Sequence, residues 1–219
     1  MLRRFFLSVI SLSALLSFFG CRTPEHSHHT GNHRFDDADA WAARFEDPSR
    51  DAWQKPDAVL ATLALPPDAK VADIGSATGY FPVRFAKALP QGRVFGMDVE
   101  QTMVDFLNKR AATEGLSNLS SALAAFDDAK IPEPVDLIIM VNTYHHIEHR
   151  PAYFAKLAGS LKPGGRLVII DFTIASKMGP PAEAKVPPEQ VTAELTEAGY
   201  KLAQAPAILP EQFFHIYTR

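Results

Sequence analysis

Asp73-Ile74-Gly75-Ser76-Ala77-Thr78-Gly79-Tyr80 sets an acid two residues ahead of a loop of small residues. Glycines at such a loop let a ligand approach the backbone. A pyrophosphate site asks for Gly-x-Gly-x-x-Gly, whereas this loop reads Gly75-x-Ala77-x-Gly79. The acid suits a ligand with a cationic amine better than a phosphate. A second carboxylate, Asp98, follows the loop by about 20 residues, the spacing at which dinucleotide folds hold ribose hydroxyls. Asp98 could instead simply open the helix that follows it. Asp127-Asp128 forms a further acidic pair, for which turn chemistry is an alternative explanation. Asn142-Thr143-Tyr144-His145-His146 brings an amide, hydroxyls and two imidazoles together. A histidine there could act as general base for a hydroxyl, thiol or carbon acid, or could merely bond a loop carbonyl. Adjacent side chains alternate in direction, so one of the pair is expected to face a ligand, with His145 preferred over His146. A metal pair of His146 and His149 lacks carboxylate partners of clear geometry, and no metal site is assigned.

These groups need a scaffold that delivers them to one edge. Val71 to Ile74 reads as a buried strand over 70–74, followed by the glycine loop and a helix to Leu89. Arg93 to Met97 is a second strand, ending at Asp98, and Gln101 to Ala112 a helix closed by Gly115. A third strand is expected over 119–126, and the nearly continuous apolar run Val135 to Val141 is a central parallel strand. A helix over 151–161, a strand from Arg166 to Phe172, a proline- and glycine-rich loop over 175–188 and a helix over 188–198 follow. Tyr200 to Ile208 and Gln212 to Tyr217 read as a terminal β-hairpin. Ahead of the first strand, Pro56 to Leu65 is a helix ended by Pro66-Pro67, and Trp41, Phe45 and Trp53 mark a short packed helix. Strands alternating with helices give an α/β fold, a mostly parallel sheet with helices on both faces.

Asp73-x-Gly75-x-Ala77-x-Gly79, with Ala77 in place of the middle glycine, resembles the first motif of class I S-adenosylmethionine-dependent methyltransferases. Leu161-Lys162-Pro163-Gly164-Gly165-Arg166 through Phe172 is similar to the segment that turns into that family's fifth strand. The resemblance runs over residues 50–217 and is nearest the quinone- and small-molecule-type subgroup. It implies a Rossmann-like seven-stranded sheet with a C-terminal β-hairpin and S-adenosyl-L-methionine as cofactor. It also implies cofactor contacts from Asp73, Gly75, Ser76, Ala77, Gly79 and Tyr80, and from Asn142. Asp98 would take the ribose, Val99 the adenine edge, and Asp127 the adenine amino group, with Phe126 either stacking on the ring or finishing the core. Acceptor-facing candidates are Trp53, Gln54, Tyr144, His145 and the Gly179-Pro180-Pro181 loop. Sulfonium donors are already activated, so alignment supplies most of the acceleration and the acceptor leaves a fainter trace than the cofactor.

The 219 residues, 47% hydrophobic, suffice for one α/β core, and the formal charge of −3 offers no overall basic footprint for nucleic acid. A small-molecule acceptor is therefore expected. Residues 1–20 read as an export signal, with Arg3-Arg4, an apolar run from Phe5 to Phe19, then Gly20. Cys21, the only cysteine, sits where a lipoprotein is diacylated, which predicts a membrane-attached protein on the periplasmic side of the cell envelope. Arg3-Arg4-Phe5-Phe6-Leu7 resembles a twin-arginine signal for export of folded protein. Residues 21–49 are expected to form a tether containing His26, His28, His29 and His33, and residues 50–219 the methyltransferase domain. Two alternatives stand beside the enzyme: a non-catalytic lipoprotein that senses or scavenges S-adenosylmethionine or its demethylated product, and a nicotinamide oxidoreductase on the same sheet type.

Overall fold

The computed structural model describes residues 37–219; the stretch expected to be an export signal, Cys21 and the four histidines of the expected tether lie outside them. Two short helices, α1 (Ala38–Phe45) and α2 (Arg50–Gln54), precede α3 (Pro56–Leu63). Asp37 caps α1 through its side chain, which accepts from Ala40 N at 3.0 Å, satisfying one of the helix's free amides. Pro56 opens α3, where its missing N–H costs nothing. The expected single helix around Trp41 to Trp53 is thus two, broken at Asp47-Pro48, and α1 packs on a later helix of the sheet. The packed unit therefore reaches back before residue 50.

The sheet strands are β1 (Lys70–Ile74), β2 (Arg93–Asp98), β3 (Leu119–Leu123), β4 (Val135–Val141), β5 (Leu161–Phe172), β6 (Lys201–Gln204) and β7 (Gln212–Thr218). Their spatial order is β3-β2-β1-β4-β5-β7-β6. The first five are mutually parallel; β7 inserts antiparallel beside β5 and carries β6 on its outer edge. This is the Rossmann-like class I methyltransferase sheet, with the C-terminal hairpin in place. Helices α4 (Tyr80–Ala88) and α5 (Gln101–Thr113) follow β1 and β2, α6 (Arg150–Leu157) follows β4, and α7 (Pro188–Glu197) precedes the hairpin.

Alternation along the strands divides the core in two. Val71, Leu137, Ile139, Val168 and Ile170 pack against Val59, Phe85 and Leu107 of α3, α4 and α5. Ala72, Ile138, Met140, Leu167 and Ile169 pack against Phe154, Val191 and Leu195 of α6 and α7. Helices therefore cover both faces.

Three strand ends depart from expectation, the first being β6, which stops at Gln204 and not Ile208. Strand β3 stops at Leu123, not Phe126, because Ala124 N turns back to Asp98 O at 2.7 Å and a small bridge joins Ala125 to Asp128. Strand β5 begins five residues early, at Leu161, with Pro163-Gly164-Gly165 looping out between the pairs Val135–Leu161 and Leu137–Arg166. No helix among the described residues is long and apolar enough to cross a membrane.

Candidate cofactor cleft

Strand order reverses between β1 and β4, and the crevice of an open α/β sheet lies at the carboxyl ends of the strands at such a switch point. A cleft of about 800 Å³ opens there. Its floor is the loop after β1. Gly75 N and Ser76 N both donate to Met97 O, at 2.8 and 3.3 Å, which ties the loop to β2. Gly75 has φ +73°, and a Cβ on it would fall 2.3 Å from Thr143 Oγ1. Gly79 caps α4 at φ +99°, where a Cβ would meet Leu107 Cδ1 at 2.3 Å. Gly79 thus shapes the loop from behind and does not itself line the cleft.

Ala77 is the unusual member. Its φ of +44° is left-handed, a region that costs an L-residue ~1–2 kcal/mol, so the methyl in place of glycine is bought with strain. The strained turn aims Ala77 N at Asp98 Oδ2, 2.8 Å away. Asp98 Oδ1 accepts Glu100 N at 3.0 Å, so this carboxylate both shapes the start of α5 and keeps lone pairs toward the cleft. Burial raises its pKa, while the backbone donors of Glu100, Ala77 and Val99 pull it back.

Asp73 is more exposed to strain of this kind. Its side chain lines the cleft and is almost fully buried, and none of the described residues donates a hydrogen bond to it. Burial first, and the charge of Asp98 second, push its pKa well above the usual carboxylate range; Arg50 opposes them. Ser76 Oγ, beside it, is buried with no hydrogen-bond partner. Such orphaned polar atoms demand an explanation. A cationic, hydroxyl-bearing ligand supplies one, since S-adenosylmethionine carries an ammonium, a sulfonium and ribose hydroxyls.

Val99 and Phe126 line the next stretch of wall, 38% and 80% exposed. Phe126 therefore does not finish the core; its ring stands free to receive a flat ligand. Asp127 lines the cleft there, whereas Asp128 pairs with Lys156 at 3.0 Å and accepts Lys130 N. Asn142 lines the opposite wall at φ +55°, its Oδ1 accepting from Gln212 Nε2 at 2.6 Å. Tyr80 lines it as the first residue of α4.

The histidine pair separates in the opposite sense to the preference for His145. Tyr144–His146 is a 3-10 turn, not a strand. His145 Nδ1 lies 2.9 and 3.0 Å from the Asp171 carboxylate and its side chain is 6% exposed, away from the cleft. His146 lines the cleft, with its ring 4.1 Å from that of His145. The acceptor-facing candidates also move. Tyr144 is fully buried, stacked on Phe154 at 5.2 Å and donating to Glu194 at 2.6 Å. Trp53 stacks on Phe172, Gln54 is buried, and Gly179 packs so closely on Phe172 that a Cβ would lie 2.3 Å from its ring; none lines the cleft. Among the described residues no cluster of three or more His, Cys, Asp or Glu is placed to hold a metal.

Sequence reasoning missed Phe45 and Arg50, which bring α1 and α2 onto the cleft, and Glu148 and Lys156, which also line it; His149, weighed only as half of a metal pair, lines it as well.

Residues 71–165 match the family described as Methyltransferase domain. A solved S-adenosylmethionine-dependent methyltransferase from Aquifex aeolicus superposes with a TM-score of 0.75 at 26% identity, covering 81% of this chain and 96% of that one. Residues 71–165 therefore carry a methyltransferase domain, on a fold shared with that S-adenosylmethionine-dependent enzyme. A TehB-like methyltransferase from Corynebacterium glutamicum shares the fold, with a TM-score of 0.64 at 18% identity over 83% of this chain and 97% of that one. The ubiquinone/menaquinone biosynthesis C-methyltransferase UbiE of Cupriavidus taiwanensis is 30% identical over 128 residues, 57% of this chain. The chain spans about half the length of the curated relatives it matches. For the methyltransferase domain, the buried acids, the orphaned Ser76 hydroxyl and the flat Val99–Phe126 wall fit S-adenosylmethionine as cofactor.

Proposed function

We propose that this protein transfers a methyl group from S-adenosylmethionine to a small-molecule acceptor at the cell envelope. The observation that carries the reading is Asp73: a buried, donorless carboxylate facing the cleft beside Asp98, which invites a cation. When bound, the cofactor supplies an electrophilic methyl group on sulfur. The chain's own residues bind, orient and manage a proton. Asp98 would accept hydroxyl donors, Val99 and Phe126 would present apolar surface to the adenine, and Asp127 would take its amino group, all four residues lining the cleft. His146 is the cleft-lining imidazole and would take the acceptor's proton; His145, clamped by Asp171, fixes the turn that carries it.

Curated relatives named as C-methyltransferases of ubiquinone and menaquinone biosynthesis favour an acidic, ring-bearing acceptor such as a phenol, whose ionisation a histidine can assist. Envelope attachment rests on residues 1–21, with Cys21 as the lipidation site and Arg3-Arg4 as a route that exports the folded, cofactor-loaded domain. The decisive experiment incubates the purified chain with methyl-labelled S-adenosylmethionine and an envelope extract. Label appearing in a small molecule, and lost in His146→Gln at unchanged cofactor affinity, supports the enzyme. Tight cofactor binding with no labelled product from any fraction would instead support a sensor, the role to which the strain at Ala77 and the exported location lend weight.

A further inference from the structure

Phe172, the last residue of β5, gathers polar groups that the chain leaves unsatisfied. Trp53 of α2 stacks on its ring at 5.8 Å, and Gly179, in the strap over 173–187, presses on its edge. Lys185, near the end of the same strap, sets its Nζ 5.9 Å from the ring centroid. Gln212 is the cross-strand partner of Phe172 on β7, so the two side chains leave the sheet on one face. Lys185 is only 8% exposed, yet no carboxylate among the described residues lies within ion-pair distance of it. Its ammonium donates to the Ser176 carbonyl, which leaves two of its three N–H groups uncommitted. Gln212 is buried with no donor for Oε1, and Gln54, beside Trp53 on α2, is buried with no acceptor for Nε2.

Burying an ammonium without a counter-ion is costly, and so is stranding an amide oxygen. Glu211, the acid of the strap's own network, is engaged by Ser176 Oγ at 2.7 Å. A methionine at 185 would close the strap without a buried charge, so tying down the loop does not explain the lysine. An occupant does. Lys185 calls for an anion, Gln212 for a hydroxyl or N–H donor, and Trp53 with Phe172 for a flat apolar ring. An aromatic acid bearing a hydroxyl carries all three. Its orientation follows from Gln212, whose Nε2 donates at 2.6 Å to Asn142 Oδ1, and Asn142 lines the cofactor cleft. The hydroxyl therefore points toward the cleft and the carboxylate toward the strap. Trp53, Phe172, Lys185 and Gln212 do not line the cleft themselves, which makes theirs a neighbouring compartment.

We propose that the end of β5 and the 173–187 strap form the acceptor subsite, in which Lys185 holds the carboxylate of an aromatic hydroxy acid and Gln212 its hydroxyl. Calling the occupant an acceptor rests on the methyltransferase reading; the anion site itself does not. The strap is shut in this structure, since Gly179, at φ +78°, leaves no room for a Cβ beside Phe172. Entry requires it to lift. Lys185 bonds back across nine residues to Ser176, so an anion that engages the ammonium also fixes the closed strap.

The chain has two tryptophans, so Trp41→Phe leaves Trp53 as the sole reporter, and it sits on the Phe172 ring. Its fluorescence is titrated in the full chain with 4-hydroxybenzoate and with methyl 4-hydroxybenzoate, which keeps the ring and hydroxyl but lacks the charge. The acid is expected to bind roughly tenfold to a hundredfold tighter than the ester, as a charged hydrogen bond dictates. Lys185→Met should erase that preference by weakening the acid alone, Lys185→Arg should keep most of it, and Gln212→Leu should weaken both ligands alike. Equal affinity for acid and ester in the unaltered site overturns the proposal, as does a preference that survives Lys185→Met. Calorimetry with S-adenosylhomocysteine separates the two readings. A chain that binds this nucleoside but neither benzoate refutes the subsite alone. A chain that prefers the acid but ignores the nucleoside keeps the anion site and refutes the methyltransferase reading.

Discussion

The acids at the sheet's carboxyl edge and those on the helical margins live under opposite conditions. Asp73 and Asp98 are buried with no cation in contact, and both are pushed above the ordinary carboxylate range. On the margins, Glu194 meets Arg150 at 2.6 Å and Glu114 meets Arg110 at 2.8 Å and Lys87 at 2.6 Å, and both are held below it. The same residue class is thus stabilising in one region and a liability in the other. A fold that leaves two carboxylates unpaired in the cleft at its sheet edge is less stable empty than it could be, and binding of a cation would relieve it. The difference marks the site without reference to any motif.

Breaking the unpaired side should show most. Asp98→Ala is expected to weaken S-adenosylhomocysteine by roughly tenfold to a hundredfold, about 1.5–3 kcal/mol, since it also strands the amides of Ala77 and Glu100. Titration calorimetry reads this directly, and unchanged affinity would place the ligand elsewhere. Asp73→Asn should cost about tenfold in affinity while raising the melting temperature of the empty protein, by ~2–4 °C for each kcal/mol of relieved burial. The sign follows from linkage: a carboxyl with a raised folded-state pKa contributes stability that is full below its ordinary pKa and lost as pH rises through the raised one. The melting-temperature gap between Asp73→Asn and the unaltered protein should therefore narrow on acidification. Cofactor affinity of the unaltered protein should fall over the same range, as protons compete with the ligand's cation, and stay flat in Asp73→Asn.

How much of this was legible in the sequence depends on whether a residue's role is local. Strand β1, its loop and Asp98 were readable because glycine spacing and apolar runs encode backbone geometry directly, and the parallel direction of the first five strands follows from their alternation with helices. The hairpin was readable for the same reason. Arg50 was not, since its place on the cleft is a tertiary fact: Tyr80 and Phe45 come to it only when α1 and α2 fold over the loop. The choice between His145 and His146 went astray because strand-like alternation was applied to a 3-10 turn, and because Asp171, which claims His145, arrives from a different strand. Phe126 was ambiguous until the early end of β3 left it outside the core.

The paired side gives smaller and opposite effects. Glu194→Gln should lower the melting temperature by a few degrees, about 1–2 kcal/mol, because Arg150 and the buried Tyr144 hydroxyl both lose a charged acceptor beneath the histidine turn. Its pKa is lowered in the folded state, so its contribution is present above the ordinary glutamate range and lost as pH falls toward and below it. The difference between Glu194→Gln and the unaltered protein should accordingly shrink in acid, as for Asp73→Asn but with the less stable partner exchanged.

Glu114→Gln supplies the lower bound. Its two cations are the half-exposed Lys87 and its helical neighbour Arg110, which keeps Glu46 at 2.8 Å. Exposed and i,i+4 pairs contribute ~0.2–1 kcal/mol, are screened by salt, and lose side-chain entropy on forming. The expected change in thermal unfolding is under about 0.5 kcal/mol and vanishes at high salt. A loss as large as that of Glu194→Gln would mean that Arg110, whose Nη1 also donates to the Thr78 carbonyl at 3.0 Å, transmits the pair's energy into the cofactor loop. The margin and the cleft would then be one coupled network, and the contrast between satisfied and unsatisfied acids would no longer separate structure from function.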